Sequence, residues 1–530
     1  MPLLKARSST VLILLAAFVF AAGYNFAFFR NVLERYPAPD NLAFFISLAI
    51  LLFSATAFFL GLVLNKFTFK PLLILLFPLA AVCSYFMNSY NVIIDSSMIR
   101  NSIMTDTREV ADLFSLRMLL YVFFLGILPA YGVYKLRITC APSGREIGHR
   151  LQFLGVTFLV ILANLLLLSE QYTGFIREQK DLRYYMNPLT VVYSAGKFIE
   201  SVLHQPATGP RAVIAQDAHI SRNDGARKLV VLVVGEATRA DHWSLNGYAR
   251  DTSAPLAGYP VVNFSDVSSC ATSTAYSLPC MFSLLDFDDF NLERANAQEN
   301  VLDVLQRNGV NVLWRDNNSD SKGVAKAIEF QDFRSPEINP VCDIECRDVG
   351  MLHGLDDYLA AHPIGDVVIV MHQMGNHGPA YYKRYPKEFE RYQPVCESNQ
   401  IEQCSQEQIG NAYDNAVLYS NYFLASVIDF LQTQQQDFST AMYYMADHGE
   451  SLGEMGLYLH GLPYAIAPQA QTHVASLMWL GKGFEKEHEA ALQKQDATLS
   501  HDNYFHTVLS LLNVESLSNV PRLNIVERLK

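Results

Sequence analysis

The sequence has few charged residues and no basic excess. Only 17% of its 530 residues are charged, and 52 acidic residues outnumber 40 Lys and Arg, giving a formal net charge of −12. Nucleic-acid binding needs a basic surface that neutralises phosphates. We therefore expect no nucleic-acid partner. The chain is too long for one compact core, which predicts at least two domains.

Charge is rarest in the first third of the chain, where five apolar stretches follow one another. They cover 11–29, 43–65, 71–88, 118–134 and 151–169. Each is close to the ~20 residues that a helix needs to cross a bilayer. Five in succession favour membrane spans over buried core helices. The first is too long for a cleaved signal peptide. We predict a five-helix transmembrane domain at 1–170.

The basic residues between the stretches predict the orientation. They fall on one side of the membrane: Lys5, Arg7, Lys66, Lys70, Lys135, Arg137, Arg145 and Arg150. Lys and Arg are enriched in cytoplasmic loops. An odd number of spans then places the rest of the chain outside the cytoplasm. The sequence predicts a multi-pass inner-membrane protein with a periplasmic domain.

Cysteine is scarce, and most of it lies in the second part of the chain. Three close pairs occur there, Cys270 with Cys280, Cys342 with Cys346 and Cys396 with Cys404. An oxidising compartment favours three local disulfides. The alternative is a metal–thiolate site, but no pair has the usual two-residue spacing with a matching His.

The second part of the chain begins with a linker. Residues 171–222 contain apolar residues at helical spacing, which predicts a helix on the membrane surface or one packed on protein. From 223 to 530, short β-branched runs alternate with helical segments. The runs are Leu229–Val234, Val310–Trp314, Asp366–Met371 and Thr440–Met445. This pattern predicts an α/β domain with a parallel sheet.

A group of polar residues follows each predicted strand, and the carboxyl ends of parallel strands meet at one edge of a sheet. Glu236 follows the first strand, and Asp447 and His448 follow the last. Two carboxylates and an imidazole suit a zinc ion with a fourth position open. Asp447-His448 alone would indicate only a capped turn.

Such a metal needs a nucleophile, and the segment from Cys270 to Cys280 has four Ser and Thr side chains. An apolar run that can begin a helix follows them. A hydroxyl at a helix N-terminus lies where backbone N–H groups favour phosphate. The residues themselves leave Thr272, Ser273 and Thr274 open, and an ordinary Ser/Thr-rich helix cap is the simpler interpretation.

Several long motifs carry a resemblance to a known family. They are Gly-Glu-Ala-Thr-Arg-Ala-Asp-His (235–242), Asn-Gly-Tyr-Ala-Arg-Asp-Thr (246–252), Trp-Arg-Asp-Asn-Asn-Ser-Asp-Ser-Lys-Gly (314–323), His-Gln-Met-Gly-Asn-His-Gly-Pro-Ala-Tyr (372–381), Ala-Asp-His-Gly-Glu-Ser-Leu-Gly-Glu (446–454) and Tyr-Leu-His-Gly (458–461). With them, the whole chain resembles the phosphoethanolamine transferases, above all those that modify lipid A and confer polymyxin resistance. Their catalytic domain is similar to alkaline phosphatase and sulfatases.

The resemblance implies roles for single residues. Thr274 is the expected nucleophile, and Glu236, Thr274, Asp447 and His448 are the expected zinc ligands. His377 and His460 match family histidines near the transferred phosphate, which transfer protons or hold a second zinc. Substrate contacts are implied for Asn318, Lys322, Glu450, Asn101, Thr105 and Glu109. The last three recur every four residues, which predicts one face of a helix.

The expected reaction moves phosphoethanolamine from phosphatidylethanolamine to a lipid A phosphate through a phospho-threonine. A lipopolysaccharide core sugar or a glucan is the alternative acceptor, and glycerophosphate transfer of the teichoic-acid-synthase type is the alternative chemistry. A non-catalytic envelope protein with a decayed site is a third interpretation. We expect membrane lipids as neighbours and a monomer.

Overall fold

The computed structural model describes residues 7–105, 107–136, 138–139, 143–179, 181–203, 210–221 and 226–527. The chain forms two compact units. A helical unit comprises Met1–Ile99 with Phe114–Leu203, and an α/β unit comprises Arg100–Leu113 with His204–Lys530. The predicted domain boundaries at 170 and 222 stay predictions. One short segment, 100–113, belongs to the α/β unit although it interrupts the helical unit in sequence.

Long apolar helices make up the helical unit. Their bounds are Ser9–Gly23, Phe26–Arg35, Ala38–Val63, Phe69–Tyr90, Leu116–Val122, Leu128–Lys135, Ser143–Leu167, Ser169–Glu178 and Leu189–Leu203, with a π-helical turn at Phe123–Ile127. Among the described residues, four helices are long and apolar enough to cross a membrane, or five if one bent pair is a single span. The predicted multi-pass architecture is confirmed.

The bent pair is the first predicted span. Ser9–Gly23 and Phe26–Arg35 meet at an angle of 53°. Asn25 lies between them, and its side-chain amide donates to the carbonyls of Phe20 and Asn187 at 2.8 and 2.7 Å. A side chain that bonds to nearby backbone competes with the helical ladder, which accounts for the break.

Apolar side chains cover much of the surface of the helical unit. In the span Gly144–Leu167 only 11% of the apolar window is buried within the protein. Leu166 and Leu167 are 66% and 82% exposed. Water would oppose such exposure, whereas lipid does not. The helical unit therefore has the surface of a membrane domain.

A seven-stranded sheet forms the centre of the α/β unit within residues 226–527. In chain order the strands are β1 Arg227–Gly235, β2 Val261–Phe264, β3 Asn311–Asp316, β4 Glu329–Asp332, β5 Val367–His372, β6 Phe438–Ala446 and β7 Ser476–Leu480. Their spatial order is β2-β7-β6-β1-β5-β3-β4. Strands β6, β1, β5, β3 and β4 are parallel, and β7 is antiparallel to both of its neighbours, β6 and β2.

The four predicted strands are β1, β3, β5 and β6, and the predicted α/β fold is confirmed. Their β-branched and aliphatic residues are almost all buried, as a sheet covered on both faces requires. Helices of this unit are Thr274–Met281, Leu292–Asn296, Val301–Arg307, Leu355–Ala361, Gln406–Thr433, Gln469–Thr472, Glu485–Leu492 and Asp502–Leu511. Three small strand pairs lie outside the sheet in the described part of the α/β unit: Ser451–Leu452 with Tyr458–Leu459, Asp266–Ser268 with Thr498–Ser500, and His219–Ile220 with Val514–Glu515.

The strand order decides where the site lies. Strands β6, β1, β5 and β3 are neighbours and point the same way. The polar groups that follow them therefore emerge side by side at one edge of the sheet. Strand β1 leads into Glu236, and β6 leads into Asp447 and His448.

Candidate active site

Thr274 is the first residue of the helix Thr274–Met281. A disulfide joins Cys270 to Cys280 around this turn, and the pairs Cys342–Cys346 and Cys396–Cys404 are also bonded. The nearby hydroxyl of Thr272 donates to the Leu462 carbonyl at 2.6 Å. Thr274 Oγ1 instead lies 3.1 Å from Glu236 Oε2 and 3.3 Å from His448 Nε2. Among these two threonines, only Thr274 faces the acidic cluster.

The side chains of Glu236, Asp447 and His448 meet at the carboxyl ends of β1 and β6. One ligand atom from each lies within 4.8 Å of the others, and all three residues are buried. His448 Nε2 lies 3.4 Å from Glu236 Oε1 and 3.4 Å from Asp447 Oδ2. Residues more than 200 positions apart in sequence thus form one compact cluster with Thr274.

Hydrogen bonds orient the cluster toward its centre. The Nδ1 of His448 is 2.8 Å from the Gly449 carbonyl, so it carries the proton and leaves Nε2 as the acceptor. Asp447 Oδ1 accepts from the amides of His448 and Ala237 at 2.7 and 3.2 Å. Its other oxygen, Oδ2, is buried and has no hydrogen-bond partner among the described residues.

This donor set fits a divalent metal ion. Two buried carboxylates side by side repel each other, and burying them costs free energy unless a cation compensates. Oxygen and nitrogen donors with an aligned imidazole are what zinc binds in open, catalytic sites. Glu236, Asp447 and His448 could therefore hold a metal ion with Thr274 at its open position.

Two further histidines lie beside this cluster. The His460 ring is 4.2 Å from that of His448 and 5.5 Å from that of His377. Burial, followed by the neighbouring His448 and His377, lowers the pKa of His460 well below its usual value. His460 Nδ1 lies 3.2 Å from the Thr272 carbonyl, which connects it to the loop that leads to Thr274.

The residues predicted to contact the head group have different surroundings. Asn318 donates to Glu236 Oε2 at 2.8 Å and to the Gln373 carbonyl at 2.7 Å, so it holds a proposed ligand. Lys322 donates to the carbonyls of Ser319 and Met104 at 2.5 and 2.9 Å. A substrate contact for either stays a prediction.

Glu450 is fully buried two residues after His448. Burial raises its pKa to about 8. The hydroxyl of Tyr381 donates to Glu450 Oε1 at 2.8 Å. An added Cβ at Gly378 would lie 2.5 Å from that oxygen, so the carboxyl group fits against bare backbone. Its predicted contact with substrate is not tested by this geometry.

The predicted single helix face of Asn101, Thr105 and Glu109 is wrong. One helix ends at Met104, and the next begins at Thr107. Thr105 lies at the break, where its hydroxyl donates to the Asn101 carbonyl at 2.7 Å. This bond takes up a carbonyl near the helix end and favours termination. The side chain of Glu109 lies outside the described residues.

Sequence reasoning gave no role to several residues that support the site. Asp316 Oδ2 accepts from Trp314 Nε1 and pairs with His372 Nδ1, both at 2.9 Å. Asp316 Oδ1 accepts from the amide of Asn318 at 3.0 Å, which fixes the loop that presents Asn318. Their position could have indicated this role, because Asp316 and His372 are the last residues of β3 and β5, the strands beside the site.

A second support is the close approach of two loops. The amide of Asn376 donates to the Glu236 carbonyl at 3.1 Å. Gly375 has φ of 52°, and an added Cβ would lie 2.9 Å from that carbonyl. Only glycine fits there without displacing Glu236. Asp348 holds the same turn by accepting from the amides of Met374 and Gly375.

Comparisons with known proteins agree with this architecture. Residues 228–514 match the family model described as Sulfatase, and residues 52–203 match the model described as Phosphoethanolamine transferase EptA/EptB. The chain is 43% identical to the phosphatidylethanolamine transferase Mcr-2 of Escherichia coli, over 95% of both chains. It is 39% identical to the phosphoethanolamine transferase EptA of Escherichia coli K12, over 97% of this chain and 96% of that one.

A solved structure covers nearly the whole molecule. The integral membrane protein lipooligosaccharide phosphoethanolamine transferase A of Neisseria meningitidis superposes with a TM-score of 0.94 at 34% identity. The match covers 98% of this chain and 99% of that one. Fold and site thus define a membrane-anchored enzyme with a sulfatase-like domain.

Within that class, the chain belongs to the phosphoethanolamine transferase family. It is an enzyme of the inner membrane, and its α/β domain lies in the periplasm. The family resemblance in the sequence motifs and the predicted localisation are both confirmed.

Proposed function

We propose that this enzyme transfers phosphoethanolamine from phosphatidylethanolamine to a phosphate of lipid A through a covalent phospho-threonine at Thr274. The relatives support the substrates, because one is named for phosphatidylethanolamine and another for lipooligosaccharide. The observation that carries the proposal is the position of Thr274 Oγ1, 3.1 Å from Glu236 Oε2 and 3.3 Å from His448 Nε2.

Zinc is the metal we propose for Glu236, Asp447, His448 and Thr274. Bound there, it would lower the pKa of the Thr274 hydroxyl and stabilise negative charge on the phosphoryl group. We propose one catalytic ion at this cluster; a second ion at His377 and His460 would double the zinc content found by elemental analysis. The chain's own contribution is to hold the proposed metal ligands close together before substrate binds, so that little reorganisation is needed during the reaction.

The proposed first step exchanges one phosphoester bond for another. Thr274 Oγ1 loses its proton and bonds to the donor phosphorus, while the bond from phosphorus to the diacylglycerol oxygen breaks. That oxygen gains a proton and leaves as diacylglycerol. His377 and His460 lie beside the cluster, and we propose that they accept the proton of Thr274 and pass a proton on to that oxygen.

In the second step Thr274 is the leaving group instead of the nucleophile. An oxygen of the lipid A phosphate bonds to the same phosphorus, and the bond to Thr274 Oγ1 breaks and restores the hydroxyl. Asn318 keeps Glu236 in place throughout, because it donates to Oε2 at 2.8 Å. We propose that Lys322, Glu450, Asn101, Thr105 and Glu109 contact the head group of the donor. The proposed enzyme acts as a monomer.

The covalent intermediate is directly testable. The Thr274→Ala variant, incubated with phosphatidylethanolamine, should show no phosphoethanolamine adduct by intact-mass spectrometry, whereas the wild-type chain should show one. Thr274→Ser keeps a hydroxyl at the helix start and should retain a measurable adduct. An adduct on the Ala variant would place the nucleophile elsewhere.

The acceptor needs a separate experiment. Lipid A from cells with and without the protein should differ by added phosphoethanolamine on a phosphate, read from fragment masses. Modification confined to core sugars or to glucan would contradict the proposed acceptor while leaving the adduct intact.

A further inference from the structure

A cavity of about 520 Å³ lies within the α/β unit, beside the nucleophile helix. Ala275, the residue after Thr274, lines it. None of the clustered side chains of Glu236, Thr274, Asp447 and His448 lines it. Its volume falls in the range of ligand-binding pockets, roughly 300–1,000 Å³. The cavity is therefore a separate space that borders the site.

The charge on the lining is predominantly positive. Arg100, Lys322 and Lys326 contribute cationic side chains, and Asp320 is the one carboxylate among the described lining residues. Lys326 is exposed, and no ion-pair partner for it occurs in the described part of the chain. A concave site with an excess of cations attracts anions and favours phosphate groups.

Apolar side chains make up much of the remaining lining. They come from Met104, Leu292 and Phe330, the last of which is 38% exposed. A simple anion such as free phosphate would make no favourable contact with this apolar part of the lining. A ligand that bears both a phosphate and less polar sugar or acyl groups would cover both kinds of surface.

The loop that carries these lysines is held in a defined conformation. Asp320 and Lys322 have φ values of 79° and 50°, in the left-handed region that side-chain-bearing residues rarely adopt. Asp316 Oδ1 accepts from the amides of Asn318 and Asp320 at 3.0 and 3.1 Å. The same carboxylate thus supports the active-site residue Asn318 and the cavity wall.

Another part of the lining, Arg100 and Met104, comes from the segment 100–113, which is anchored to the rest of the α/β unit. The buried Asp112 forms ion pairs with Lys383 and Arg384. Its carbonyl accepts from Asn399 Nδ2 at 2.5 Å. Lys322 Nζ donates to the Met104 carbonyl at 2.9 Å, which joins the two parts of the lining directly.

We propose that this cavity binds the non-reacting phosphate and adjoining sugar of the phosphorylated glycolipid acceptor, with Lys326 as the phosphate contact. The inference rests on the proposed function and adds a subsite to it. In an acceptor with two phosphates, one phosphate attacks the phosphorus of the phosphoethanolamine on Thr274, and the other binds Lys326. The cavity thereby favours doubly phosphorylated acceptors over singly phosphorylated ones.

Lys326→Gln tests this because the two half-reactions can be measured apart. Adduct formation from phosphatidylethanolamine is followed by intact mass, and adduct loss is then followed after adding doubly or singly phosphorylated lipid A. The variant should raise the apparent KM for the doubly phosphorylated acceptor about tenfold. The singly phosphorylated acceptor and the rate of adduct formation should not change.

Lys486→Gln is the matched control. Lys486 is exposed on the helix Glu485–Leu492, which packs near β7 and β2 at the other edge of the sheet. It should leave both half-reactions unchanged, and Lys326→Arg should restore the acceptor preference. Slower adduct formation in Lys326→Gln, or an unaltered preference between the two acceptors, would overturn the subsite. A wild-type chain that forms no adduct would instead refute the proposed function itself.

Discussion

The two oxygens of Asp447 have different surroundings. Oδ1 accepts from two backbone amides, while the buried Oδ2 faces His448 Nε2 at 3.4 Å. Asp447→Asn keeps an acceptor for the amides and replaces the negative charge that faces the proposed zinc with a neutral group. We expect the zinc affinity of the purified enzyme to fall roughly tenfold or more.

Elemental analysis after dialysis against a graded chelator series measures that change. Asp429→Asn is the control, because Asp429 is exposed and bonds only to the Tyr259 hydroxyl in the described residues. If Asp447→Asn retained zinc as well as the control does, the cluster would not be the metal site.

His501 is a buried histidine whose bonds require the neutral ring. Its Nδ1 accepts from the amide of Cys270 at 3.2 Å, and its Nε2 lies 3.0 Å from the Ala446 carbonyl. Burial lowers its pKa from 6.5 to about 4. The unfolded chain therefore binds a proton between pH 6.5 and 4 that the folded chain does not, and stability is lost as pH falls through this window.

The predicted loss from His501 is about 3 kcal/mol across that window. Thermal unfolding of the full chain in detergent, compared at pH 7 and pH 4, measures it. His501→Gln cannot titrate and should show a smaller drop than the wild type, whereas His353→Gln, at an exposed position, should not alter the drop. Equal drops in all three proteins would contradict the assignment.

At the scale of secondary-structure elements, strands that consist almost entirely of apolar residues could be predicted from the sequence. β1 and β6 contain runs of buried apolar residues, and the sequence located both within two residues at each end. β2 and β7 were not predicted. β2 has only four residues, and its antiparallel pairing with β7 depends on a partner more than 200 residues away. Local pattern does not encode such pairing.

The break between the helices Ser96–Met104 and Thr107–Leu113 shows the same limit. Spacing of four residues predicted one face, but spacing cannot report that Thr105 bonds to the Asn101 carbonyl. The break also allows the second helix to place Asp112 against Lys383 and Arg384. Tertiary contacts therefore decide the course of this segment.

The anchoring of the segment 100–113 by Asp112 leads to a prediction. Arg384 is buried and also donates to the His377 carbonyl at 2.7 Å. Asp112→Ala leaves that guanidinium without one of its carboxylates, and breaking a buried ion pair costs about 3–5 kcal/mol. Hydrogen exchange in 100–113 should become much faster, measured by mass spectrometry on the full chain.

Glu345→Ala provides the comparison, because Glu345 also pairs with Arg384 but lies outside the segment. It should leave exchange in 100–113 close to that of the wild type. Similar acceleration in both variants would indicate general destabilisation, and would contradict a specific anchor at Asp112.

For the whole molecule, sequence order indicated the place of the site but not its geometry. Glu236, Asp447 and His448 were predicted to converge because they follow neighbouring parallel strands. The sequence could not show that Asn318 holds Glu236, since that bond depends on how the loop after β3 folds. It also could not show that segment 100–113 belongs to the α/β unit.

Because the segment 100–113 belongs to the α/β unit, its loss affects how a truncated enzyme would behave. A chain of residues 210–530 keeps the cluster of Glu236, Asp447 and His448 but lacks the segment 100–113, with Asp112 and part of the cavity lining. It also lacks the membrane helices, which would raise the effective concentration of the proposed lipid substrates. We expect it to bind zinc and to form the Thr274 adduct with a short-chain, water-soluble phosphatidylethanolamine.

The same truncated chain, exported to the periplasm, should leave lipid A unmodified, as read by mass spectrometry of extracted lipid A. Anchoring it to an unrelated membrane helix restores its proximity to the membrane but not the segment 100–113. This variant therefore separates the contribution of proximity from that of the segment. Full modification by the re-anchored chain would show that proximity alone is sufficient. Little or no modification would show that the segment 100–113, through its contacts at Asp112 and the cavity, is required for the acceptor to react.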